Sequence, residues 1–131
     1  MYASEMAKRG YATSQKQVAS ETELEVKIFT EITGRLIAAK PEEIGGFPKL
    51  AEALTDNARL WNLLFLDMSH ETNTLPLELK NGLLYLAEFT RLHTQKVLRG
   101  EAEHDILIEI NKSIIAGKRT QLDTAKSAEA A

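Results

Sequence analysis

Apolar residues line one side of a helix in four separate stretches of this chain. Leu24, Ile28, Ile32 and Leu36 recur every fourth residue with Phe29 beside them, the spacing of a buried helical stripe. Ser20 and Glu23 stand ahead of it at capping-box spacing, where each side chain can bond the other's free amide, so a first helix is predicted from about Ser20. Leu50, Leu54, Asn57, Trp61, Leu64 and Met68 alternate steps of four and three, a seam against another helix. This second helix is predicted from about Pro48, since proline is tolerated in a first turn, to Ser69. Asn57 is the polar member of the seam, expected to hydrogen-bond inside the core and fix helix register.

Leu79, Leu83, Leu86, Thr90, His93 and Val97 share a face of a third helix opened by Leu75-Pro76. Leu84, Phe89 and Leu92 widen that face, so this helix is expected to be central in the bundle. Arg99-Gly100 ends it, a cation in the last turn and a glycine able to take the left-handed cap. Glu101, Glu103 and Asp105 place negative charge at the start of a fourth helix with a stripe of Ile106, Leu107, Ile110 and Ile114. Gly117 is its expected stop.

The punctuation between stretches is strong. Lys40 to Pro48 carries two prolines and the Gly45-Gly46 pair and reads as a loop, and His70 to Thr74 is a polar connection. Residues 1–19 are polar and small, a partly helical arm, and 118–131 hold Leu122 as their one large apolar residue, a frayed or disordered tail. The organisation expected is therefore an arm at 1–19, a helical domain at 20–117 and a flexible tail at 118–131. The fold class is all-α, a compact bundle of about four mostly antiparallel helices with short connections.

Composition narrows the function classes. At 131 residues the chain fits one domain able to bury a core without staples. It has no cysteine, which excludes disulfides, thiolate metal sites and cysteine nucleophiles. A net charge of −3 and a pI near 5.6 give no electrostatic footprint for nucleic acid. No apolar run approaches the roughly 20 residues of a membrane span, and no charged leader precedes an apolar stretch at the N-terminus. A cytoplasmic protein is expected, with neither membrane nor nucleic acid as a direct partner.

Candidate chemistry is sparse. His93 sits among apolar neighbours with no second ligand four residues away, so a satisfied core histidine is expected rather than a metal ligand. His104 stands among Glu101, Glu103 and Asp105, but the run lacks the longer spacing and glycine bend of a calcium loop. His70 lies in a loop without an evident partner. Asn111-Lys112-Ser113 matches a glycosylation sequon inside a predicted helix and carries no weight. No nucleophile elbow or phosphate loop is present, and Gly45-Gly46 is too short to suggest one. No catalytic residue, metal or cofactor is assigned.

What remains is surplus apolar surface. Trp61, the only tryptophan, fits a core anchor, and with Arg59 nearby also an interface anchor. Leu84 opposite Leu86, and Ile108 with Ile115, give the last two helices apolar residues on more than one side. A small bundle is not expected to bury all of these faces, so either the chain dimerises or a groove awaits a partner's amphipathic helix. Trp61, Leu84, Ile108 and Ile115 are the candidate partner-binding residues.

Five motifs in order resemble the FlaF family, flagellar biosynthesis regulators of alphaproteobacteria. They are Glu21-Thr22-Glu23-Leu24 with Ile28-Phe29, Asn57-Ala58-Arg59-Leu60-Trp61, Asn73-Thr74-Leu75-Pro76, His93-Thr94 with Val97 to Gly100, and Leu107 to Asn111. The resemblance covers roughly residues 1–117. The Gly45-Gly46 loop and the 118–131 extension depart from the pattern and are expected to vary without consequence. The resemblance implies a non-enzymatic helical factor for flagellin production or export, acting opposite the translational repressor FlbT, with flagellin itself as the target. A helical chaperone could mask flagellin's amphipathic terminal helices before export. The alternatives are a post-transcriptional regulator acting on flagellin mRNA and a structural homodimeric adaptor.

Overall fold

The computed structural model describes residues 2–130. Four helices account for nearly all of them: α1 (Tyr2–Ala38), α2 (Gly46–Ser69), α3 (Leu77–Leu98) and α4 (Asp105–Ala130). Neighbours are antiparallel, and the two inner helices are α1, flanked by α2 and α4, and α2, flanked by α1 and α3. The all-α bundle expected from the periodicity is what forms. None of the described helices is long and apolar enough to cross a membrane.

The helix-two seam holds residue for residue. Leu50, Leu54, Asn57, Trp61 and Met68 are buried, and Leu64 is half-buried. The other stripes hold in part and are rotated in part: Phe29, Ile32, Leu36, Thr90, Val97, Leu107 and Ile110 are buried as expected. On α1 the buried face is Thr22, Phe29, Ile32, Thr33 and Leu36, while Leu24 is 57% exposed and Ile28 also faces outward. A strict four-residue repeat drifts about 40° per step, so Leu24 stands about 120° round the helix from Leu36.

Helix α4 buries Leu107 and Ile110 as expected, but its seam also runs through Ile108, Asn111, Ile115, Lys118 and Leu122. These alternate steps of three and four, as the α2 seam does, whereas Ile106 is exposed. That seam runs through Gly117, and Leu122 is buried against α1. Helix α4 therefore continues to Ala130 instead of stopping at Gly117. The first helix likewise begins at Tyr2, not Ser20. Ser20 lies in mid-helix, where the amides have intrahelical partners and a capping box has nothing to cap.

The third helix is not central. Its buried residues are Ala87, Thr90, Thr94 and Val97, all on the side facing the bundle, and it packs on α2 with only a light touch on α4. It sits at the edge because small side chains on one narrow face let it approach a single neighbour closely.

Buried polar groups tie α2 to α4. The Trp61 Nε1–H donates to Asn111 Oδ1 at 2.9 Å, and Asn111 Nδ2 donates to Asn57 Oδ1 at 2.8 Å. Both asparagines are fully buried. Phe29 meets the Trp61 indole edge-on, ring centroids 5.9 Å apart, which joins α1 to the same point. Arg35 bonds Asp56 at 2.8 Å across α1 and α2, and Lys118 pairs with Glu25 across α4 and α1.

Two glycines are set by backbone geometry. Gly100 takes φ 75° in a Schellman end to α3: its N–H bonds the Val97 carbonyl and the Glu101 N–H bonds that of Lys96. Gly46 has ordinary φ, but a Cβ there would lie 1.7 Å from the Lys40 carbonyl oxygen. The expectation that this loop varies freely is thus overturned at Gly46, where chain crosses chain too closely for any side chain.

Two stability outcomes follow from this packing. Gly100→Ala, with open space around it, is expected to lose about 1–2 kcal/mol from the left-handed backbone alone, and Gly46→Ala to lose more, since the Lys40 carbonyl must move. Thermal melts rank the two; equal melts would contradict the close approach. Asn111→Ala strands the Trp61 N–H and the Asn57 carbonyl oxygen in the core and is expected to cost about 2–5 kcal/mol. Urea unfolding followed by the emission of Trp61 measures this directly, because no other tryptophan contributes.

Candidate functional site

The histidines are occupied structurally. The His93 Nε2–H donates to the Glu103 carbonyl at 2.7 Å, and the ring stacks on Phe89 with centroids 5.3 Å apart. The His104 Nε2–H donates to the Leu36 carbonyl at 2.9 Å, pinning the start of α4 to the end of α1. His70 stays in the α2–α3 connection with its Nδ1 against Thr72. Among the described residues no three histidine, aspartate or glutamate side chains converge as a metal site requires.

The connection between α2 and α3 is held by local bonds. Asn73 Oδ1 accepts from the Leu75 amide at 3.1 Å, an Asx turn, and Lys80 Nζ reaches the Asn73 carbonyl at 3.2 Å. Pro76 then caps α3. This geometry fixes where α3 begins and so which of its faces is left uncovered.

On that uncovered side lies a crevice of about 420 Å³ between α2 and α3. Ala58, Trp61, Asn62 and Phe65 form one wall, and Ala87, Thr90 and the Glu88–Arg91 pair the other. Small residues at Ala58 and Ala87 open it. Arg91 grips Glu88 through two bonds, of 2.6 and 3.0 Å. That hydrogen bonding holds the Glu88 carboxyl below the usual carboxylate range and the Arg91 guanidinium above its own.

Beside the crevice runs an apolar row on α3. Leu77, Leu84, Arg91 and Leu98 recur every seventh residue and so share a side of the helix. Leu77 is 72% exposed and Leu98 is 40% exposed, Leu84 is half-buried, and Phe65 lies exposed on the facing wall. The row is a strip of hydrocarbon along an edge helix, interrupted by one ion pair.

The four residues singled out from sequence separate here. Trp61 is buried and lines the crevice, whereas Leu84, half-buried on α3 one turn before Ala87, does not line it. Ile108 and Ile115 are core residues of the α4 seam and present no groove to a partner. They read as surplus because the expected stripe of Ile106, Leu107, Ile110 and Ile114 leaves them out. Leu77, Leu98 and Phe65 were missed, although the heptad spacing through Leu84 is visible in the chain itself.

The family model described as flagellar protein FlaF matches residues 7–117, leaving the second half of α4 outside the match. No curated protein and no solved structure matches the chain.

Proposed function

The chain belongs to the FlaF family of flagellar proteins, and on that premise we propose that it is a non-enzymatic chaperone of flagellin. In this reading it takes an amphipathic terminal helix of flagellin along the Leu77–Leu84–Leu98 row of α3, with the α2–α3 crevice receiving the helix's largest apolar side chain. Flagellin held in this way is kept from premature assembly and delivered for secretion. Its synthesis rises accordingly, in opposition to the FlbT repressor.

The observation that carries this is the uncovered row. An edge helix whose outward side shows leucines at seven-residue intervals leaves apolar surface in water, and helix-in-groove docking buries such surface through anchors at that repeat. A preformed crevice beside it supplies a pocket for an anchor residue. The Glu88–Arg91 pair at the rim supplies polar contacts that fix direction without adding much affinity.

Calorimetry with monomeric flagellin, intact and lacking its terminal helices, tests the reading. Tight binding to intact flagellin, lost on truncation, is expected. The double variant Leu77→Asp, Leu84→Asp is expected to weaken binding at least tenfold, with far-UV circular dichroism and the unfolding midpoint retained. Unchanged affinity in that folded variant excludes the α3 row. Ile115→Asp is no control, since it places a charge in the core and is expected to unfold the bundle.

A further inference from the structure

Beyond the α2–α3 body the chain carries an arm of opposite charge. Helix α1, at 37 residues, is about 55 Å long, against about 36 Å for the 24 residues of α2. The Arg35–Asp56 and Phe29–Trp61 contacts set their antiparallel register, so α2 runs out level with about residue 21 of α1. Past that point only α1 and α4 continue, paired side by side until α4 ends level with about residue 11 of α1, whose first turns run on alone. Their shared groove, about 510 Å³, is lined by Tyr11, Val18, Ala19, Leu122, Ala125 and Ala128 among others. Tyr11 and Val18 are more than half exposed.

We propose that this two-helix arm is a second docking site, distinct from the α2–α3 crevice, that takes an acidic amphipathic helix of a partner protein. Two helices enclose no core. A third laid in the groove would cover Val18 and Leu122, and the alanines allow its backbone to come close. The charge of the arm says which helix. Residues 1–20 and 118–131 contain Lys8, Arg9, Lys16, Lys118, Arg119 and Lys126 against three acids, Glu5, Asp123 and Glu129, whereas residues 21–117 contain ten basic and sixteen acidic side chains. The chain is acidic overall, yet its arm is net positive. Lys8, Arg9, Lys16, Arg119 and Lys126 form no ion pair among the described residues. With helices only about 10 Å across, these charges lie within one or two Debye lengths of the groove at physiological salt.

Other occupants fit less well. A second arm would bring like charge onto like charge. An arm laid on the acidic body of another copy is a head-to-tail contact, which propagates into rings or open chains of many copies. Single-stranded RNA wants stacking platforms, and the groove offers Tyr11 alone among alanines and aliphatics. An apolar stripe flanked by carboxylates satisfies both the groove and its field.

Fluorescence anisotropy with the full chain and two labelled 18-residue helical peptides tests this. The peptides share one leucine-alanine face and differ in carrying glutamate or lysine on the other. The glutamate peptide is expected to bind at least tenfold tighter, and to weaken steeply as salt rises. Lys8→Glu, Lys16→Glu, Lys126→Glu together, and separately Val18→Asp, are each expected to cost at least tenfold. Both alter exposed positions and are expected to keep the helical circular dichroism and the Trp61 unfolding midpoint. The Leu77→Asp, Leu84→Asp variant is expected to bind the peptide as the parent does, which separates this site from the crevice. Equal affinity for the two peptides overturns the proposal, as do indifference to the charge reversals, tighter binding of a single-stranded RNA 12-mer, or sedimentation showing self-association that the reversals abolish.

Discussion

The bundle depends on a chain of hydrogen bonds from Trp61 through Asn111 to Asn57. Helices α2 and α4 are not direct neighbours, since each packs on α1 from a different side. Side chains reaching across the interior connect them, apolar ones in the shared core and these polar ones in direct hydrogen bonds. Each bond adds on the order of 1 kcal/mol net, because the same groups bond water in the unfolded chain. Their larger effect is on alternatives. Sliding either helix by one turn would leave an indole N–H and two carboxamides buried without partners, at a cost of about 1–3 kcal/mol for each group. A leucine-rich seam has no comparable preference for one register.

That register decides what is exposed. With Asn57 and Trp61 fixed against Asn111, and Phe29 fixed against Trp61, the lengths of α1 and α4 beyond α2 are set. The Lys118–Glu25 pair sits where the α1–α4 pair leaves the body. The Asx turn at Asn73 and the Schellman end at Gly100 hold α3 to a span that leaves its heptad row outside. Both outward surfaces are thus consequences of one buried polar network and two local stops.

Much of this was legible in the chain, and the rest failed for definite reasons. The α2 seam was readable because an alternating three-four repeat tracks the true helical period. The α1 stripe misled because a constant step of four departs from it, and the α4 stripe because five isoleucines and a leucine in ten residues permit several phases. Polarity carried the missing phase: Asn111, set at the same repeat as Ile108, Ile115 and Leu122, is the counterpart of Asn57. Three of the resembling motifs turn out to be structural, since Asn57 to Trp61 and Leu107 to Asn111 supply the buried network and Val97 to Gly100 supplies the α3 end. The site was only half legible. Leu84 lay in the right row, but exposure at Leu77 and Leu98 depends on α3 being an edge helix, which helical periodicity does not specify.

The two surfaces differ in how they are supported, and this bears on what each can do. The α3 row stands on a helix clamped by Thr90, Thr94, Val97 and the His93 bond, so it meets a ligand already shaped and loses little order on binding. The arm has little beneath it. From Ala3 to Val18 every residue whose side chain is described is exposed, and beyond Lys118 Leu122 alone is buried among the residues so described. Helices with so little buried apolar surface sit at the low end of local stability, so an occupant of the groove must supply order as well as contact. Affinity there falls by the free energy of that ordering, while electrostatic attraction raises the rate of encounter. A stable crevice suits retention of a bound helix, and a basic, weakly supported arm suits rapid and salt-sensitive exchange.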